Sequence, residues 1–111
     1  MSFNIVPIAS FSKELKRLAK KYPSLKADFA DLLDILEANP QRGTPLGKNC
    51  FKMRLSIASK GKGKSGGARV ITHLLVNLDN ETLYLLKIYD KSDAETVTDA
   101  ELKDLLNSIK N

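Results

Sequence analysis

The stretch Phe51-Lys52-Met53-Arg54-Leu55-Ser56-Ile57 decides the fold class of this chain. Phe51, Met53, Leu55 and Ile57 alternate with Lys52, Arg54 and Ser56. A period of two predicts a β-strand with one face in a core and one basic face in water. Two further strands follow, over Ala68–Leu78 and Thr82–Tyr89, separated by a turn at Asp79-Asn80. Short connections between consecutive strands predict an antiparallel meander. The first connection, Lys60-Gly61-Lys62-Gly63-Lys64-Ser65-Gly66-Gly67, is Gly- and Lys-rich and predicts a mobile, solvated hairpin loop.

Upstream of the meander the period becomes helical. Phe11, Leu15, Leu18, Ala19 and Tyr22 form one apolar stripe at i, i+4, i+7, i+8 and i+11. Leu25, Phe29, Leu32, Leu33 and Leu36 repeat that spacing. Tyr22-Pro23-Ser24 separates the two stripes, which reads as a helical hairpin, with Ser10 or Ser12 as the first cap and Ser24 as the second. Gln41–Asn49, with Gly43, Pro45 and Gly47, reads as a loop. Phe3–Ile8 has β-character, and Pro7 predicts an edge or a strand end. At the other end, Thr98 and Glu101 have the spacing of a capping box before a stripe of Leu102, Leu105, Leu106 and Ile109. The predicted order is β-α-α-β-β-β-α: an α+β fold in one domain, residues 1–111. The helical hairpin packs on one face of a small, mostly antiparallel sheet and leaves the other face open.

Charge is unevenly placed. The chain has 111 residues and a formal charge of +5, but its parts differ: +1 over Met1–Glu37, +8 over Ala38–Leu78 and −4 over Asp79–Asn111. The middle third contains no acidic residue at all. Such a concentrated field draws polyanions, with nucleic acid the leading candidate. A solvated charged face is the plainer alternative. One Cys, Cys50, excludes an intramolecular disulfide framework, and with one His it excludes a Cys/His zinc site. No metal or cofactor is expected. No apolar run approaches the ~20 residues of a membrane helix, and no secretory signal is visible, so the expected location is the cytoplasm.

Alternation assigns Lys52, Arg54, Arg69, His73, Lys87 and Tyr89 to the open face. The assignment takes Leu83, Leu85, Lys87 and Tyr89 to face outward and Tyr84, Leu86 and Ile88 to face the core. A one-residue bulge would flip part of it. Such a set suits metal-free RNA cleavage. The ribose 2′-OH attacks the adjacent phosphate, and fixed Arg and Lys side chains stabilise the developing negative charge. A base must take the 2′ proton and an acid must protonate the leaving 5′ oxygen. Lysines crowded among like charges lose proton affinity and suit either role. His73 titrates near neutrality when unperturbed, and Tyr89 can stack on a base or donate a proton. The plainer alternative is phosphate binding alone, with His73 a bystander. Lys48, Lys60, Lys62, Lys64 and Lys87 are further candidate RNA or ribosome contacts. Gly63-Lys64-Ser65 ends like a phosphate-binding loop, but Ala58 stands where the first Gly belongs and a strand follows instead of a helix.

Phe51-Lys52-Met53-Arg54, the segment from Lys60 to Ile71, and Leu85-Leu86-Lys87-Ile88-Tyr89-Asp90-Lys91 together resemble the RelE/ParE toxin superfamily. The Lys60–Lys64 repeat resembles its HigB-like branch. The resemblance implies the toxin of a type II toxin–antitoxin pair: an mRNA endoribonuclease that acts in the ribosome without a metal, silenced by a cognate antitoxin. It carries site roles onto Lys52, Arg54, Arg69 and Lys91. Ser92 stands where many relatives have Arg, and Val97 or Thr98 where many have a Tyr; Tyr89 is the candidate substitute. ParE-like members of the same superfamily inhibit DNA gyrase and are not nucleases. That alternative stays open, as do a non-catalytic RNA- or ribosome-binding module and an inactive relic.

Overall fold

A computed structural model describes residues 3–61, 66–78, 81–93 and 97–109. Lys62, Lys64 and the turn expected at Asp79-Asn80 lie outside the described residues. The elements are β1 (Phe3–Pro7), α1 (Ala9–Lys21), α2 (Leu25–Ala38), β2 (Thr44–Gly47), β3 (Cys50–Leu55), β4 (Ala68–Val76), β5 (Glu81–Asp90) and α3 (Asp99–Asn107), with a 3-10 turn at Ala58–Lys60. The class is α+β. The sheet is mixed and five-stranded, in the order β1-β5-β4-β3-β2. β1 runs parallel to β5, and every other pairing is antiparallel.

Each amphipathic stripe finds a face. Phe11, Leu18, Leu25, Leu32 and Leu36 are buried against Met53, Leu55, Val70, Leu83, Leu85 and Ile88. Burying side chains of this size contributes about 1.5–3 kcal/mol each before entropy is counted. Both helices break where proline or Asn-Pro interrupts the pattern. Their N-termini differ from expectation. α1 starts at Ala9 behind Ile8, with no side-chain cap; neither Ser10 nor Ser12 serves. Ser24 does sit at the N-cap of α2, but its hydroxyl donates to Asp28 Oδ2 at 2.7 Å instead of capping a backbone N–H. The Thr98–Glu101 capping box is complete in both directions.

Three expectations are corrected. First, the segment Gln41–Asn49 is not all loop. Thr44–Gly47 forms β2, and Lys48 and Asn49 turn the chain with φ of 56° and 58°. A two-residue hairpin turn of type I′ has positive φ at both central positions, which matches strand twist, and this geometry overrides the Gly/Pro signal.

Second, the far face of the sheet is not left open. α3 covers part of it, burying Leu102 with Ile71, Leu86, Tyr89 and Cys50. The physical reason is that the α3 stripe also has to leave water, and Ile71 and Leu86 supply an apolar patch.

Third, β5 carries an extra residue. Ile71 pairs with Lys87, but Thr72 pairs with Leu85, so Leu86 has no opposite number. This bulge reverses the faces of the first half of β5. Leu83 and Leu85 join the helical-hairpin core, while Tyr84 and Leu86 turn toward α3. Tyr89 and Ile88 keep their expected sides.

Gly67 sets how closely β4 enters the sheet. A Cβ there would lie 2.1 Å from the Leu55 carbonyl oxygen, so only glycine fits at this crossing.

Candidate nucleic-acid interface

The side of the sheet that carries α3 is organised in rows. Arg54 on β3 is the register partner of Arg69 on β4, and Arg69 is the register partner of Tyr89 on β5. One row along, Lys52 pairs with Ile71, and Ile71 with Lys87. Residues directly opposite on one face have Cβ atoms about 4.5–5.5 Å apart, so the two arginines are near neighbours. The ladder extends one residue past β5, because the Lys91 N–H donates to the Gly67 oxygen at 3.0 Å. Alternation therefore puts Lys91 beside the Arg69–Tyr89 row.

Exposure differs along the row. Arg54 is exposed. Arg69 is only 5% exposed, and its Nη1 donates to the Ala68 oxygen at 3.0 Å. Tyr89 is also 5% exposed, beneath α3. Lys87 Nζ stands 5.5 Å from the centre of the Tyr89 ring and bonds Glu101 Oε2 at 2.5 Å. The hydrogen bond from Lys87, then that from the Thr98 backbone, holds Glu101 below the usual carboxylate range. Lys87 thus pins the start of α3 to β5. Lys52 and Arg54 also reach a cavity of about 540 Å³ at the edge of β3 beside the start of β2, whose lining includes Arg42 and, from α2, Asp28 and Asp31.

His73 shares this face but not this row. It lies four positions along β4 from Arg69, about 13 Å at strand rise. Its register partner is Cys50, with Sγ 3.5 Å from Nδ1. Burial lowers the His73 pKa, partly opposed by backbone contacts with Lys48 and Asn49, and burial pushes the Cys50 thiol up. Both shifts favour the uncharged forms of the pair.

Lys60 departs furthest from its expected solvated position. It ends the 3-10 turn, and its ammonium pairs with Asp90, whose side chain is fully buried. Lys48 is exposed at the β2–β3 turn, at the opposite end of β3 from Arg54. The structure therefore brings together Lys52, Arg54, Arg69, Tyr89, Lys87 and Lys91, and separates His73, Lys48 and Lys60 from them.

Sequence reasoning missed Asp90 altogether. The signal was present, as an acidic residue closing a strand of otherwise apolar character. A charge in such a position must find a partner or shift its ionisation. It also gave no site role to Arg42, which lines the cavity from the segment leading into β2.

Among the described residues, no group of His, Cys, Asp and Glu is placed to hold a metal ion, and no helix is long and apolar enough to cross a membrane. No family model matches the chain.

Proposed function

We propose that the chain is an mRNA-cleaving toxin of the RelE/ParE kind, controlled by a cognate antitoxin. One observation carries the reading: Arg54 and Arg69 stand directly opposite each other across the β3–β4 ladder. Like charges so placed destabilise a sheet. A polyanion lying across the pair offsets that repulsion, since guanidinium forks bind phosphate oxygens in parallel pairs.

In the reaction proposed, the 2′ oxygen attacks phosphorus and gives its proton to a base. The bond from phosphorus to the 5′ oxygen breaks, and that oxygen takes a proton. Arg54 and Arg69 stabilise the charge gathering on the phosphate. Lys52 and Lys91 flank the row on either side and are the candidates for proton transfer. Tyr89, under α3, supports the row from below and does not act as a stacking platform in this conformation. His73 is too distant to serve the same phosphate.

The test is mapping of 5′ ends on a defined mRNA, in a translating extract and as free RNA. Wild type is compared with Lys52→Ala and Arg54→Ala. New ends with the wild type, lost in the variants, support the reading, and the two conditions separate ribosome-dependent from direct cutting. No new ends from folded wild type would sink it in favour of a gyrase inhibitor or a binding module.

A further inference from the structure

The cavity at the edge of β3 is unlike the arginine row beside it, because it carries both signs of charge. At 540 Å³ it falls in the range of about 300–1,000 Å³ that small-ligand sites occupy. Asp31 from α2, Arg42 from the segment before β2, and Arg54 all line it. None of these three side chains makes an ion pair or hydrogen bond among the described residues, so opposite charges share one cavity without pairing. Asp28 differs, since its Oδ2 already accepts from the Ser24 hydroxyl and the Ala58 N–H. Leu32, Met53 and Leu55 supply an apolar floor, with Ile35 at its rim. The backbone contributes as well. A Cβ on Gly43 would lie 2.7 Å from the Lys52 oxygen, which sets the Lys52 carbonyl on the β2 edge of β3. Successive residues of a strand turn their N–H and C=O to alternate edges, so Arg54 presents both groups to that same edge. The β2–β3 ladder ends at Thr44 and Lys52, so no strand lies across from Arg54 there.

We propose that this cavity holds a guanine base, read by Asp31, Arg42 and the Arg54 peptide edge. The N1–H and N2–H of guanine donate side by side to the Asp31 carboxylate. The Arg42 guanidinium donates to O6 and N7. The Arg54 N–H and C=O meet the remaining N3 acceptor and N2–H donor. The ring lies on the floor of Leu32, Met53 and Leu55. Adenine presents N1, an acceptor, to the carboxylate, and its amino group to Arg42. Cytosine presents N3 to the carboxylate, and uracil offers it a single N–H. A site built for hydrogen bonds rejects a ligand that leaves them unmade. A phosphate is disfavoured, because Asp28 and Asp31 repel it. The Arg54 side chain belongs to the arginine row while its peptide lines the cavity, so base and phosphate of one nucleotide can be held side by side. That placement rests on the RNA-cleavage reading; base binding itself does not.

The test reads binding and not cleavage. Amide chemical shifts are followed during titration with GMP, with IMP, which lacks the N2 amino group, with AMP and with ribose 5-phosphate. GMP should shift the amides of Asp31, Leu32, Arg42 to Thr44 and Arg54 to Ser56. IMP, AMP and ribose 5-phosphate should bind at least tenfold more weakly. Asp31→Asn should lower GMP affinity at least tenfold and keep the wild-type melting temperature, since Asp31 is exposed. The proposal is overturned if GMP fails to bind, if AMP or ribose 5-phosphate binds equally well, if the shifts fall outside the cavity, or if folded Asp31→Asn binds GMP as the wild type does. Two single-stranded hexanucleotides, one of uridines alone and one with a single guanosine, then separate the sources of the base. Tighter binding of the second, lost in Asp31→Asn, assigns the cavity to RNA. Equal binding of the two, with GMP still bound, assigns it to a free guanine nucleotide. GMP binding as stated with no new mRNA ends would leave the cavity standing without the nuclease, and new ends with no GMP binding would leave the nuclease without this cavity.

Discussion

The Tyr22 hydroxyl donates to Asp90 Oδ2 at 2.5 Å, joining the end of α1 to the end of β5 across 68 positions of sequence. The other carboxylate oxygen takes Lys60 Nζ, the Ser92 N–H at 3.0 Å and the Ser92 hydroxyl at 2.8 Å. This one buried side chain holds the helical hairpin, the 3-10 turn and the segment after β5 at the end of the sheet where the arginine row lies.

Burial alone would raise the Asp90 pKa, but Lys60, Tyr22 and Ser92 outweigh it and hold the carboxyl well below the usual range. A depressed folded-state pKa stabilises the fold above the unfolded value of about 3.9 and is lost as pH falls below it. The melting temperature should therefore drop on acidification below about pH 4. Asp90→Asn should flatten that drop and cost about 3 kcal/mol at pH 7, since it leaves Lys60 without its charge partner. Circular dichroism melts from pH 7 to pH 2 check both. Parallel curves for wild type and variant would remove Asp90 as the cause.

Thr72 is wholly buried, and its Oγ1 has no hydrogen-bond partner among the described residues. A buried unpaired hydroxyl costs about 1–3 kcal/mol, and valine has nearly the same shape. Thr72→Val should raise stability by about 1 kcal/mol in urea denaturation. A loss of stability would mean that the hydroxyl is bonded in solution.

Arg54 and Arg69 should respond differently to truncation. Arg54 is exposed and faces a like charge, so Arg54→Ala should change stability by no more than about 0.5 kcal/mol. It should weaken RNA binding and reduce the slope of log affinity against log salt by about 1. Arg69→Ala removes a buried side chain and its bond to Ala68, so a loss of activity there is mixed with a loss of stability. Salt-titrated binding beside denaturation separates the two effects. An unchanged salt slope in Arg54→Ala would count against the row as the phosphate contact.

Lys87 and Glu101 join β5 to α3 through partly exposed side chains, and such a pair contributes at most about 1 kcal/mol. Lys87→Met should leave the global melt nearly unchanged while speeding amide exchange in Asp99–Asn107 a few-fold. Exchange mass spectrometry reads this directly. Equal rates would show that Leu102 packing alone seats the helix.

Much of this protein is legible locally. Both helical stripes, the strand through Met53 and Leu55, the Thr98–Glu101 box and the acid-free middle third follow from spacing and side-chain type, which act over one or two turns of chain. The faces of β3 and β4, and with them the arginine row, follow from simple alternation. The remainder depends on residues far apart in sequence. One extra residue at Leu86 reverses Leu83, Tyr84 and Leu85, because side-chain direction in a strand counts from the last irregularity and composition does not mark where that falls. Lys60 looks like its neighbours in a solvated loop, yet it turns inward to a carboxylate 30 positions away. The covering of Tyr89 by α3 likewise depends on the apolar patch that Ile71 and Leu86 form only once the sheet is assembled. Sequence by itself determined which groups seek burial and which carry charge; tertiary structure decided which partner each one met, because that choice is made by the whole chain packing at once.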